Sequence, residues 1–205
     1  GLNEPEALLV LVPGRNHGSS LMFCLERDAD KEAWDGPRLG PEGAVSALQM
    51  DDSFPITDLD EILPGLLEGR SRVYYHYGRD PDFDIKLMGW LNQVRTKKRL
   101  GAEPPHEFLE LGHLLDELRL FKSKSEIALL RRSADIAAQA QIAAMRATKK
   151  ARFEYEVEAA LQYVYRTNNA VAAYEPIVGS GANACVLHYR ANNAPIKKGD
   201  LLLCD

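Results

Sequence analysis

Three features near the end of the sequence have residue types that can do chemistry: the Gly-Ser-Gly run at 179–181, His188 and Asp205. Two glycines let the backbone turn sharply or approach a ligand closely, and a histidine can donate a hydrogen bond or move a proton near neutral pH. Asp205 follows the apolar run 201–204, and a carboxylate at a strand end needs donors, a cation or a metal. The pattern indicates a site that includes His188 and Asp205.

Each feature also has an ordinary structural explanation. A Gly-Ser-Gly run is usually a turn, a histidine on a strand is more often a core residue, and an aspartate after a strand commonly caps the next element. The run lacks the lysine of a phosphate-binding loop and the spacing of a GxSxG nucleophile motif. Taken alone, these residues leave a two-domain α/β protein whose function is open.

The apolar pattern of the first half predicts strands alternating with helices. Runs at 7–12 and 20–25, separated by a turn, predict a hairpin. Residues 58–67 and 83–94 have helical spacing, and the aromatic run 73–77 predicts a strand.

The second half has the pattern of longer helices. Ser123 and Glu126 fit a capping box at the start of the first of these. The face expected to point inward consists of Ile127, Leu130, Ala134, Ala137, Ala138 and Met145. A second helix is expected from Glu154 to Arg166, with short strands at 177–178, 186–189 and 201–204 to follow; the second of these strands would carry His188.

Composition excludes some classes of partner. The 205 residues include 25 basic and 30 acidic side chains, mixed along the chain, so we expect no surface for nucleic acid or anionic lipid. No apolar run approaches membrane-spanning length, so no membrane partner is expected. Three scattered cysteines, at 24, 185 and 204, favour reduced thiols and a cytoplasmic location.

Several strings together resemble one known family. Ile-Val-Gly-Ser-Gly at 177–181, Leu-His-Tyr at 187–189 and Lys-Gly-Asp-Leu-Leu-Leu-Cys-Asp at 198–205 are similar to the start of the "pita-bread" catalytic domain of Xaa-Pro aminopeptidases. The strings at 3–7 and 34–40 resemble the N-terminal domain in the bacterial aminopeptidase P branch. The resemblance covers the whole chain.

The resemblance implies an N-terminal α/β domain of the creatinase/prolidase type over residues 1–112. A linker over 113–122 and the beginning of an α+β pita-bread domain over 123–205 would follow. The chain is expected to be an internal fragment, cut at both ends and inactive by itself.

The resemblance also implies the site. The family uses two divalent metal ions, commonly Mn²⁺, held by Asp, Asp, His, Glu and Glu; Asp205 matches the first ligand, and the other four are not in this sequence. His188 matches a catalytic histidine that contacts substrate without ligating metal, and Tyr174 matches a tyrosine close to the metals. Trp34 resembles a substrate-binding tryptophan that reaches a neighbouring subunit's active site, or it anchors a surface within its own domain.

The implied reaction is the release of the N-terminal residue from peptides with proline in second position. The enzyme is expected to be a homo-oligomer, either a dimer or a tetramer. Three alternatives remain open: the dipeptidase prolidase, a creatinase-like hydrolase that works without metal, and a metal-free binding module. The strings at 3–7 and 34–40 favour aminopeptidase P over prolidase, and Asp205 argues against the two metal-free alternatives.

Overall fold

The computed structural model describes residues 2–205 and divides into two compact units, the first ending at Glu117 and the second beginning at Leu118. The predicted linker, 113–122, lies largely within a helix that spans this division. No helix within residues 2–205 has the length and apolar character needed to cross a membrane.

The first unit alternates strands and helices along the chain. The elements are β1 (Leu8–Leu11), β2 (Ser20–Cys24), α1 (Ala29–Asp35), α2 (Gly40–Leu48), β3 (Asp52–Pro55), α3 (Leu59–Leu67), β4 (Arg72–Tyr75), α4 (Pro81–Thr96), β5 (Glu107–Glu110) and α5 (Leu111–Leu120). Short 3₁₀ turns at Ile56–Asp58 and Lys98–Leu100 adjoin α3 and α4.

Strand pairing in this unit confirms the predicted hairpin. β1 and β2 are antiparallel, with Leu8 opposite Phe23, and β3 joins β2 in parallel. β4 and β5 form a separate parallel pair. The core lies where Phe23 meets α3 and α4, and Trp90 is buried there with its indole N–H donating to Asp60 Oδ1 over 2.9 Å.

The second unit consists of two long helices and a short hairpin. Its elements are α6 (Lys124–Thr148), α7 (Glu154–Thr167), β6 (Val178–Ser180), a 3₁₀ turn (Gly181–Cys185) and β7 (Leu202–Cys204). The predicted capping box is confirmed: the Ser123 N–H donates to Glu126 Oε2 over 2.7 Å, and the Glu126 N–H donates to Ser123 Oγ over 3.3 Å. The predicted second helix is α7, which buries Val157 and Leu161.

The predicted inward face of α6 is wrong. Leu130 is 54% exposed and Met145 is 66% exposed in this chain, whereas Ala140 and Ala144 are buried. These two alanines cluster with Val157 and Leu161 of α7. Small side chains let the two helices approach closely, so the contact face is the alanine stripe rather than the stripe of larger apolar residues.

The strand predicted at 186–189 is also wrong, because this stretch forms a turn. Its backbone amides are used locally: the Val186 N–H donates to the Asn183 carbonyl over 3.1 Å, and the Tyr189 N–H donates to the Val186 carbonyl over 3.3 Å. β6 pairs directly with β7 instead. His188 therefore sits on a turn that follows the 3₁₀ segment.

Candidate active site

Tyr174 and Asp205 meet at one end of the β6–β7 hairpin. Asp205 directly follows β7, and its backbone exchanges hydrogen bonds of 2.7 and 2.9 Å with Ile177, which extends the hairpin by one pair. The Tyr174 hydroxyl donates to Asp205 Oδ1 over 2.6 Å. This bond to the carboxylate raises the pKa of Tyr174. The Asp205 carboxylate is thus oriented while its residue stays exposed.

His188 lies at the same place. Together with Tyr174, Asp205 and three further residues, it lines a cavity of about 410 Å³. The other lining residues are Glu175, Ile177 and Arg190. His188 is exposed rather than packed in a core. The structure therefore brings three of the four predicted site residues, Tyr174, His188 and Asp205, to one cavity.

A second cavity shares the Tyr174–Asp205 pair. It measures about 490 Å³ and lies along α6, the end of α7 and the segment 168–174. Arg132 and Gln141 of α6 contribute polar groups to its wall. The Tyr174–Asp205 pair thus borders both cavities.

Trp34, the fourth predicted residue, belongs to the first unit. It lies on α1 and is 91% exposed. All residues that line the two cavities belong to the second unit. Trp34 therefore belongs to a different unit from the other three residues.

A buried carboxylate that sequence analysis missed holds the turn of His188. Glu154, the first residue of α7, is 0% exposed. Its Oε1 accepts from the Ser180 N–H over 2.7 Å, the Ser180 hydroxyl over 2.8 Å and Asn183 Nδ2 over 3.2 Å. Its Oε2 accepts from the Tyr189 hydroxyl over 2.8 Å and the Ala194 N–H over 2.9 Å.

These donors keep Glu154 ionised. Burial by itself raises the pKa of a carboxyl group, because the charged form loses its hydration. Burial is the largest single influence on Glu154, but the backbone amides of Ala194 and Ser180 and the two hydroxyls outweigh it together, so the pKa of Glu154 is lowered. The position at the N-terminus of α7 also favours negative charge.

Asn192 is a second buried anchor, 5% exposed. Its Oδ1 accepts from the Val178 N–H over 2.9 Å, and its Nδ2 donates to the Pro176 carbonyl over 2.7 Å and to Glu158 Oε2 over 2.9 Å. Its φ is +43°, a left-handed conformation that asparagine tolerates better than most residues. Asn192 therefore joins α7 to the chain that leads from Tyr174 into β6.

Comparison with known proteins identifies two domains in this chain. The model of the aminopeptidase P N-terminal domain matches residues 1–75, and the model of metallopeptidase family M24 matches residues 128–205. Aminopeptidase PepP of Pseudomonas aeruginosa superposes with a TM-score of 0.92 and 52% identity, over 98% of this chain and 46% of that chain. The chain thus carries an aminopeptidase P N-terminal domain and the start of an M24 domain.

Relatives that match all of this chain include proteins named Xaa-Pro aminopeptidase. The Xaa-Pro aminopeptidase of Escherichia coli K12 is 36% identical over all of this chain and 47% of its own length. Aminopeptidase P of Escherichia coli, solved in complex with substrate, superposes with a TM-score of 0.91 and 36% identity, over 100% of this chain and 47% of that chain. The chain thus spans about half the length of the relatives it matches, and it joins an aminopeptidase P N-terminal domain to the start of an M24 domain.

Family M24 implies divalent metal ions, and the side chains of this chain can be tested against that expectation. Within residues 2–205, no group of three or more His, Cys, Asp and Glu side chains is placed to hold a metal ion. The exposed, oriented carboxylate of Asp205 suits one ligand of such a centre, since hard divalent ions prefer oxygen donors. This part of the M24 domain can therefore supply one ligand to a metal ion.

Proposed function

We propose that this chain is part of a metal-dependent aminopeptidase that releases the N-terminal residue from peptides with proline in second position. The observation that carries the proposal is the Tyr174–Asp205 hydrogen bond of 2.6 Å beside His188 in one cavity of an M24 domain. The relatives named Xaa-Pro aminopeptidase support this substrate class.

Asp205 would be the first ligand of a centre of two divalent ions, with the remaining ligands outside this sequence. Such a centre activates water as a nucleophile and polarises the scissile carbonyl. Tyr174 would orient the ligand carboxylate, since a hydroxyl that donates to one oxygen fixes the direction of the other. Manganese is the proposed metal, and a zinc-substituted form of the Escherichia coli enzyme has been solved with product.

His188 would act on substrate without binding metal. Its exposed imidazole reaches the cavity from the turn after the 3₁₀ segment, where it can donate a hydrogen bond to the substrate carbonyl oxygen. A donor of this kind matters most in the transition state, when negative charge builds on that oxygen. Proline calls for a dedicated peptidase because its tertiary amide has no N–H and restricts the preceding residue.

The assembly and location form part of the same proposal. Exposed tryptophan is enriched at protein interfaces, so Trp34 fits a subunit contact of a homo-oligomer, where it would reach substrate bound to the neighbouring subunit. The three thiols, Cys24, Cys185 and Cys204, form no disulfide within residues 2–205, which suits the cytoplasm. The protein would bind peptides and neither nucleic acid nor membrane.

A peptide panel tests the proposal. The complete protein that contains this chain is incubated with an Xaa-Pro-Xaa tripeptide, the matched Xaa-Ala-Xaa tripeptide and the Xaa-Pro dipeptide, and products are identified by mass spectrometry. We expect release of the first residue from the proline tripeptide only. Cleavage restricted to the dipeptide would replace the proposal with prolidase, and cleavage of none of the peptides would support a binding module.

A further inference from the structure

Residues 176–194, named here the His188 segment, are joined to α7 by hydrogen bonds to two glutamates of that helix. Glu154 holds it at residues 180, 183, 189 and 194, and Glu158 holds it through Asn192. Glu154 and Glu158 are one helical turn apart, so they share a face of α7. His188 is exposed in the cavity, whereas the group that fixes its turn is fully buried.

Tyr189 connects the buried carboxylate to His188. Its hydroxyl donates to Glu154 Oε2 over 2.8 Å and accepts from Asn183 Nδ2 over 3.1 Å. The far end of the ring is therefore held at two points. Because Tyr189 follows His188 directly, this bond fixes the backbone that aims the imidazole.

The arrangement is specific for a carboxylate. Five hydrogen bonds converge on the two oxygens of Glu154, and all five partners act as donors. A glutamine would turn an NH₂ group toward some of these donors, and an aspartate is shorter by one methylene. Simple filling of the core would need neither the charge nor the length.

We propose that Glu154 is a positioning residue that sets His188 relative to the Tyr174–Asp205 pair, acting through the Tyr189 hydroxyl. The inference rests on the proposed function, in which His188 contacts substrate. Displacing a reacting group by about 1 Å can cost about 10²-fold in rate. Loss of the Tyr189 link therefore lowers kcat while the metal ligand itself is untouched.

The test is a double-mutant cycle in the complete protein, with Tyr189→Phe and His188→Ala. Tyr189→Phe deletes one hydroxyl, and Asn183 Nδ2 keeps its hydrogen bond to Glu154. We expect Tyr189→Phe to lower kcat by at least about tenfold with unchanged metal content. In the His188→Ala background, Tyr189→Phe has no further effect. Tyr155→Phe, an exposed tyrosine of α7 stacked on Phe153, is the matched control with wild-type kcat.

Several results would overturn the inference. One is a wild-type kcat in Tyr189→Phe; another is an equal loss from Tyr189→Phe with and without His188. A silent His188→Ala variant also rejects it, because nothing would then act through that ring. If the wild type cleaves no Xaa-Pro peptide, the proposed function fails separately. The NMR signals of the His188 ring then decide: Tyr189→Phe shifts them and Tyr155→Phe does not, and unchanged signals reject positioning.

Discussion

Replacing Glu154 by glutamine removes one negative charge and exchanges an acceptor for a donor at the centre of the second unit. In the less costly orientation, the amide oxygen faces Ser180 and Asn183, and the NH₂ group faces Tyr189 and Ala194. The Tyr189 hydroxyl can rotate and accept. The Ala194 N–H cannot, so one backbone donor is left without an acceptor.

The expected cost follows from that donor. A buried N–H without an acceptor costs about 1–3 kcal/mol, the Ala194 N–H is part-buried, and the remaining bonds are no longer charge-assisted. Glu154→Gln should therefore lower the free energy of unfolding by about 2 kcal/mol at pH 7. Glu156→Gln is the matched control on the same helix: the new amide oxygen can still accept from the Arg152 N–H, so the change stays within about 0.5 kcal/mol.

The difference in the free energy of unfolding between the wild type and Glu154→Gln should also depend on pH. The pKa of Glu154 is lowered in the folded state, so the stabilisation is fully present above the unfolded-state value of about 4.3 and is lost as pH falls through the folded-state value. Once Glu154 is protonated, the wild type resembles the glutamine variant. The gap between the two proteins should therefore shrink toward zero in acid.

The assay is urea unfolding of the metal-depleted complete protein at several pH values, with amide hydrogen exchange of residues 176–196 as the local readout. Glu154→Gln should unfold at lower urea and exchange faster at Ser180 and Ala194. Equal unfolding midpoints at pH 7 would show that the Glu154 carboxylate does not stabilise the second unit. A difference in the free energy of unfolding that widens in acid would contradict the lowered pKa of Glu154.

Three further predictions concern other parts of the chain. Tyr174→Phe removes the donor to Asp205 and should weaken metal affinity about 10–100-fold, measured by competition with a chelator; unchanged affinity would remove Tyr174 from the site. Trp34→Ala should raise KM in peptide kinetics without changing metal content, and unchanged kinetics would leave Trp34 a surface residue. Gly179→Ala places a Cβ 2.8 Å from the Asn183 carbonyl oxygen, so thermal unfolding should show a loss of about 1–3 kcal/mol; wild-type stability would mean that the 3₁₀ turn gives way.

Local patterns predicted local structure in this chain. The hairpin of β1 and β2, the helix α3 and the capping box at Ser123 each depend on residues close in sequence, and each is present. The prediction of a strand at 186–189 was wrong. Its apolar run is typical of a strand, but its backbone amides form hydrogen bonds within a turn. The prediction of the inward face of α6 was wrong because small side chains, rather than the most hydrophobic ones, form the contact with α7.

Only part of the candidate site could be predicted from the sequence. Asp205, His188 and Tyr174 came from a family resemblance, since their residue types alone fit ordinary structural roles. Glu154 was missed because its partners are 26 to 40 residues away, and periodicity carries no information about such contacts. One signal was available: a glutamate at the first position of a helix that has no side-chain cap of its own.

The most direct test of the account is the metal content and the Xaa-Pro-Xaa cleavage rate of Asp205→Asn in the complete protein. Asp200→Asn is the control, because Asp200 lies just before β7 and its carboxylate accepts the Lys197 N–H over 3.0 Å. We predict two divalent ions for each wild-type and Asp200→Asn chain. Asp205→Asn should lose at least one of these ions, together with most of the activity. Full metal content and a wild-type rate in Asp205→Asn would show that Asp205 is not a metal ligand.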